Sequence, residues 1–188
     1  VSIAYHEGVP GHHFQRATAK YLAGELSRFQ RLMGGTSGSV AGWALYAERL
    51  MGELGYLENP DYYLGMLRAQ AMRAVRVIVD IGMHLELEIP RDNPFGFHPG
   101  ERWTPALGLE FMRQHCQMDD AFIRFEIARY LGWPGQAPSY KVGQRICRMT
   151  SSGTKAENIS MIARTSIHGR AGPDRRRRNI SSASTTPA

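Results

Sequence analysis

Apolar residues recur at three- and four-residue intervals through most of residues 1–149, and no alternating run competes with them. Gly11 to Met33 reads as one helix after a Pro-Gly break. Phe14, Ala17, Tyr21, Leu22 and Leu26 form its apolar side, and Arg16, Lys20, Glu25 and Arg28 its outer side. Gly34 to Gly38 reads as a loop, and Ser39 to Leu54 as a second helix closed by Gly55. Pro60-Asp61 opens a third helix to about Leu87. Its stripe of Leu64, Leu67, Ala71, Ala74, Val75, Ile78, Ile81 and Leu85 predicts burial on more than one side. Pro90 to Arg102 reads as a loop. Thr104-Pro105 joins a capping hydroxyl to a first-turn proline and starts a helix to about Cys116. Asp119 to Leu131 gives another helix, Trp133-Pro134-Gly135 a break, and a last helix begins near Ala137. The prediction is an all-α body with no strand ladder and no internal repeat. Trp43, Tyr46, Tyr62 and Tyr63 read as packing between helices, and the nine Met as core filler.

Composition bounds this picture without changing it. At 188 residues, 43% hydrophobic and with two Cys, the chain can bury a core without disulfides. A disulfide scaffold and a collagen-like repeat are excluded. No apolar run reaches the ~18 residues of a membrane-spanning helix. Cys116 and Cys147 leave a reducing, cytoplasmic setting as the default expectation. The start at Val1 reads as a fragment or a processed piece.

The net charge of +6 invites a nucleic-acid reading, but its distribution argues otherwise. From Thr150 to Ala188 there are seven Lys or Arg, including Arg175 to Arg178, against Glu157 and Asp174, a net of +5; residues 1–149 carry +1. The same 39 residues hold 12 Ser or Thr and no sustained period, so residues 150–188 are expected to form a disordered basic tail. The arginine run suits nonspecific phosphate contact. No aromatic follows Tyr140, so the tail offers no base-stacking platform and no specific nucleic-acid partner is expected.

The sharpest chemical signal is His6-Glu7-Gly8-Val9-Pro10-Gly11-His12-His13. Zinc peptidase helices place two His four residues apart, with Glu beside the water to be activated. Here the second His falls at i+6 or i+7. On an unbroken helix, i+6 points about 120° away and i+7 lies about 10 Å along the axis. Pro10 prevents a regular helix from passing, and Gly11 supplies conformational freedom. A bulge there would return His12 to phase with His6. A kinked helix whose His and Glu cap backbone groups is the plainer alternative.

The sequence resembles the large bacterial family known as domain of unknown function 885, regarded as gluzincin-like zinc-dependent peptidases. Five segments carry the resemblance, in the family's order: Tyr5 to His13, Gly42-Trp-Ala-Leu-Tyr-Ala-Glu-Arg-Leu50, Arg76-Val-Ile-Val-Asp-Ile-Gly-Met-His84, His98-Pro-Gly-Glu-Arg-Trp-Thr104 and Trp133 to Lys141. The resemblance implies the C-terminal half-domain of a mostly helical metallopeptidase acting on a peptide or amide. It implies His6 and His12 as zinc ligands and Glu7 as general base toward water and then the leaving amine. Tyr140 and Lys141 match a late Ser-Tyr-Lys element suited to oxyanion or carboxylate stabilisation. It also implies a longer chain on the N-terminal side, whose absence would leave an apolar face uncovered.

One position departs from the pattern. The family's third ligand, a Glu before Gly-Trp-Ala-Leu-Tyr, is Ala41 here. Glu48 lies about two turns (~10 Å) further along the same face, too far to take its place. His13, Asp80 and His84 are other donors; Asp80 and His84 suit either a second shell or a pair across one turn. A degenerate inactive member, a relocated ligand and a single-base error in the sequence all account for Ala41. The loss of resemblance after Gln144 suggests a reading-frame shift. A non-catalytic remnant and a nonspecific nucleic-acid binder acting through the tail stand as alternatives to the peptidase. Arg73 and Arg76 are expected in internal ion pairs. The oligomeric state is not legible in the sequence.

Overall fold

The computed structural model describes residues 1–150; residues 151–188, most of the basic tail with its expected disorder, lie outside them, while the change of frame expected after Gln144 would fall within the described α-helical residues up to 150. The described residues form eight helices: α1 (Ser2–Glu7), α2 (His12–Tyr21), α3 (Arg28–Leu32), α4 (Ser37–Glu53), α5 (Pro60–His84), α6 (Pro105–His115), α7 (Asp120–Gly132) and α8 (Gln136–Thr150). The all-α class is as the periodicity predicts. The extended pairing among the described residues is one isolated antiparallel bridge, Glu88 with Arg102, inside the 85–104 connection. None of the described helices is long and apolar enough to cross a membrane.

Most helix starts follow local chemistry. Thr36, Asn59, Thr104 and Asp119 each accept a backbone N–H of the first turn, and Pro60 and Pro105 stand where no donor is needed. The single helix expected over 11–33 is two. The chain leaves α2 at Leu22 and restarts at Ser27, where Ser27 and Gln30 form a reciprocal capping box. The second helix starts two residues early because Thr36 caps Ser39 N–H, and the long helix stops at His84, three residues short of the expected end.

The main core lies between α5, α6, α7 and the 85–104 connection. Val75, Val79, Met83, Ile89, Phe97, Trp103, Phe111, Met112, Ile123, Ile127 and Tyr130 are buried there. The predicted stripe of α5 is mostly not the buried one: Leu64 and Leu85 are each 65% exposed, and Leu67, Ile78 and Ile81 also face outward. The buried face instead carries Met72, Val75, Arg76, Val79, Asp80 and Met83. Arg76 goes inside because its guanidinium meets the Glu126 carboxylate and donates to Tyr130 Oη at 2.8 Å. Tyr21, on the expected apolar side of α2, is 88% exposed, since α2 buries Gln15 and Ala19 instead. Trp43 and Tyr46 pack inside as expected, whereas Tyr62 and Tyr63 on the first turn of α5 are exposed. Met51, Met66, Met72, Met83 and Met112 fill the interior; Met33 and Met149 do not.

The Arg76–Glu126–Arg129–Tyr130 network links α5 to α7. Burial pushes the Glu126 carboxyl up, but hydrogen bonds from Arg129 and Tyr130 and the Arg76 charge together hold it below the usual carboxylate range. A depressed folded pKa gives stability that is present above the unfolded value of about 4.3 and is lost as pH falls through the folded value. Thermal melts of the full chain should therefore show falling stability below about pH 4. In Glu126→Gln that acid-side slope should be shallower, and an unchanged slope would remove Glu126 from the acid response.

α4 packs most extensively against α8, and both have glycine at the crossing. A β-carbon at Gly42 would overlap the Gly143 backbone, and one at Gly143 would overlap the Gly38 carbonyl. This close approach brings the α4 residue Glu48 and the α8 residue Tyr140 to the same end of α1.

Candidate metal centre

α1 ends at Glu7, the chain bulges through Gly8, Val9, Pro10 and Gly11, and α2 restarts at His12. The Val9–Pro10 bond is cis. Gly11 serves the bulge in a second way besides its conformational freedom. Its φ of −74° is ordinary, but a β-carbon there would overlap the Tyr5 and His6 carbonyl oxygens.

The bulge brings the two imidazoles together, with ring centroids 4.9 Å apart and planes at 85°. One ligand atom from each of His6, Glu7 and His12 lies within 4.8 Å of the others. This is the phase correction the Pro-Gly insertion suggested. His13 is exposed and outside the group. Trp43 fixes the bulge from α4. Its indole N–H donates to the Pro10 carbonyl at 2.8 Å and reaches the Gly11 carbonyl at 3.2 Å, partnering oxygens that the interrupted helix leaves free.

His6 is almost fully buried, and its Nδ1 lies 2.6 Å from Glu48 Oε1. Glu48 is 1% exposed and stands in a run of buried Ala44, Leu45, Tyr46 and Ala47. Arg73 Nη2 is 3.5 Å from the same carboxylate oxygen, while Glu48 Oε2 and Arg73 Nε have no hydrogen-bond partner. Glu7 Oε1 sits 4.0 Å from His6 Nε2, with a side chain 66% exposed to solvent. Burial, with His6, holds His12 below its ordinary pKa against the pull of Glu7, and Arg16 and Arg73 add to the lowering. A neutral imidazole is the form that ligates metals.

Tyr140 is brought into this group and Lys141 is turned aside. The Tyr140 ring stacks on His6 at 6.2 Å, with the Arg73 and Arg76 guanidiniums 5.4 and 5.2 Å from its centre. Lys141 Nζ donates to Gln70 Oε1 at 2.6 Å and to Gln144 Oε1 at 3.3 Å, and makes no hydrogen bond or ion pair with His6, Glu7 or His12. Burial, with the Arg73 and Arg49 charges, lowers its pKa. Asp80 and His84 form the one-turn pair at 3.7 Å; Asp80 also accepts Gly135 N–H, and His84 contacts the Tyr130 carbonyl. Arg73 and Arg76 are in the internal ion pairs expected of them.

Position 41 is a buried alanine on the α4 face that also carries Glu48. It offers no donor atom. From the sequence, Glu48 counted only as a ligand too distant to replace position 41; its contact with His6 and the clamping role of Trp43 were not anticipated. A lone acid inside an apolar helical run was the available signal, since such acids are rarely fully buried unless paired.

No curated protein matches the sequence. A solved structure, "the putative lipoprotein from Colwellia psychrerythraea", is 31% identical with a TM-score of 0.69, over 86% of this chain. This chain spans 26% of that chain's length. Residues 1–157 match the family model described as "Bacterial protein of unknown function (DUF885)", so the match runs past Gln144, where the resemblance was expected to end, and the chain belongs to that family.

Proposed function

We propose that this chain carries the metal-binding part of a zinc-dependent hydrolase of peptide or amide bonds. The observation that supports the reading is the convergence of His6, Glu7 and His12 donor atoms within 4.8 Å across a bulged helix. The donor set suits zinc, which favours imidazole nitrogen and carboxylate oxygen. His6 and His12 would hold the ion; when bound, it would supply a Lewis acid for the scissile carbonyl and acidity for a water molecule.

The side chains do the remaining work. Glu7, solvent-exposed and 4.0 Å from His6 Nε2, takes a proton from water and returns one to the leaving amine. Tyr140, stacked on His6, presents a phenol to the developing oxyanion, and among the described residues its Oη has a long 3.4 Å contact from Gln136 Nε2. Lys141 adds positive charge from the next position on α8, its ammonium held by Gln70 and Gln144. A peptide is the substrate class this chemistry suits.

A second reading, a non-catalytic relative, draws on Ala41, which removes the third ligand that the resemblance implies. Elemental mass spectrometry of the full chain and of Ala41→Glu, dialysed identically at neutral pH, separates the two. About one zinc per unaltered chain is expected under the enzyme reading, and would mean that a third ligand comes from a position other than 41. Zinc in Ala41→Glu alone would overturn activity in this chain and favour the non-catalytic relative. Zinc in neither, with both folded by circular dichroism, would overturn the metal site itself.

A further inference from the structure

We propose that Glu48 is a positioning residue that fixes the tautomer and direction of His6. This inference rests on the metal-site reading above and assigns a residue that the reading does not contain. Three observations carry it. The contact is short, 2.6 Å from Glu48 Oε1 to His6 Nδ1. Both side chains are inside, at 1% and 5% exposure, so water does not compete for the bond. His6 Nε2, on the opposite edge of the ring, faces Glu7.

The chemistry follows from the donor inventory. A carboxylate has only acceptors, so the proton of the bond belongs to His6 Nδ1. A neutral imidazole protonated at Nδ1 has its lone pair on Nε2, pointing into the His6–Glu7–His12 group. Glu48 is therefore on the wrong side of the ring to be a ligand. It acts through His6, preventing ring rotation and directing Nε2 into the group, as partners of metal-bound histidines do. Arg73, 3.5 Å from the same oxygen and buried beside Tyr140, provides the charge that lets a carboxylate stay at this depth. Among the described residues, the bond to His6 is the hydrogen bond that Glu48 makes, because Oε2 has no partner. The carboxylate is thus committed to orienting one ring.

The test uses the metal-free full chain and two variants, Glu48→Gln and Glu48→Ala. Nitrogen-15 NMR of the histidine rings should find His6 protonated at Nδ1 in the unaltered chain, and shifted toward the Nε2-protonated form in Glu48→Ala. Zinc affinity, read by competition with a chromophoric chelator, should fall about 10- to 100-fold in Glu48→Ala. The loss should be smaller in Glu48→Gln, whose amide oxygen still accepts from Nδ1. A merely structural role would not produce this ordered rescue in step with the tautomer. If Glu48→Ala does not fold, the tautomer of the unaltered chain and the Glu48→Gln affinity decide. An Nε2-protonated His6 in the unaltered chain, or unchanged zinc affinity in a folded Glu48→Ala, overturns the inference. A chain with His6 protonated at Nδ1 that binds no zinc would overturn the metal-site reading and leave the pairing of Glu48 with His6 standing.

Discussion

Glu7→Gln should slow hydrolysis of a peptide mixture by the zinc-loaded chain by about 10²- to 10⁴-fold, with zinc content unchanged. Glutamine keeps the size and exposure of Glu7 but cannot accept a proton at neutral pH. Glu7 is 66% exposed and 4.0 Å from His6 Nε2, so the change leaves the imidazole geometry in place. Measuring zinc and rate on the same preparations makes the result diagnostic. An unchanged rate would remove Glu7 from the chemistry. Parallel loss of zinc and rate would make Glu7 a ligand, which Ala41 leaves room for, and would require another base.

Gly42→Ala should destabilise the fold by about 3 kcal/mol, the upper end of ordinary overpacking. The reason is that the obstacle is backbone. The added carbon would meet Gly143 and would lie 2.8 Å from Gln144 N, with no flexible side chain to move aside. α4 and α8 would have to separate. For a chain of this length the melting temperature should fall by roughly 6–12 °C. The separation would also draw Glu48 away from Tyr140 and the end of α1, so zinc affinity should fall with stability. A melting temperature within about 2 °C of the unaltered chain would show that the crossing relaxes more easily than its geometry implies.

These two expectations differ in how far they could be read before the fold was known. The Glu7 argument was open from the spacing of His6, Glu7, Pro10, Gly11 and His12, because proline and glycine act on the chain locally. The Gly42 argument was not, because nothing in Gly38, Gly42 or Gly143 says that they meet. Helix starts at Pro60-Asp61 and Thr104-Pro105 were legible for the same local reason. The α2 break was also written locally, in the Ser27-x-x-Gln30 capping box, but continued apolar spacing masked it.

The long helix α5 shows where periodicity stops being informative. It offers two apolar stripes, and the choice between them depends on which neighbours arrive. Arg76 is buried because Glu126 and Tyr130 come from α7, and Asp80 because Gly135 donates to it from the turn before α8. A pattern that assigns charged residues to solvent cannot anticipate partners some fifty positions away.

The sequence by itself determined the helical class, the break at Pro10-Gly11 and the His-Glu-His group, because propensity, capping and backbone sterics act over a few residues. Only the tertiary structure decided which face of α5 is buried, that Trp43 holds the bulge, and that Glu48 meets Nδ1 of His6. Those outcomes need residues 33 to 54 positions apart to share one place, and the packing of α1, α4, α5, α7 and α8 puts them there.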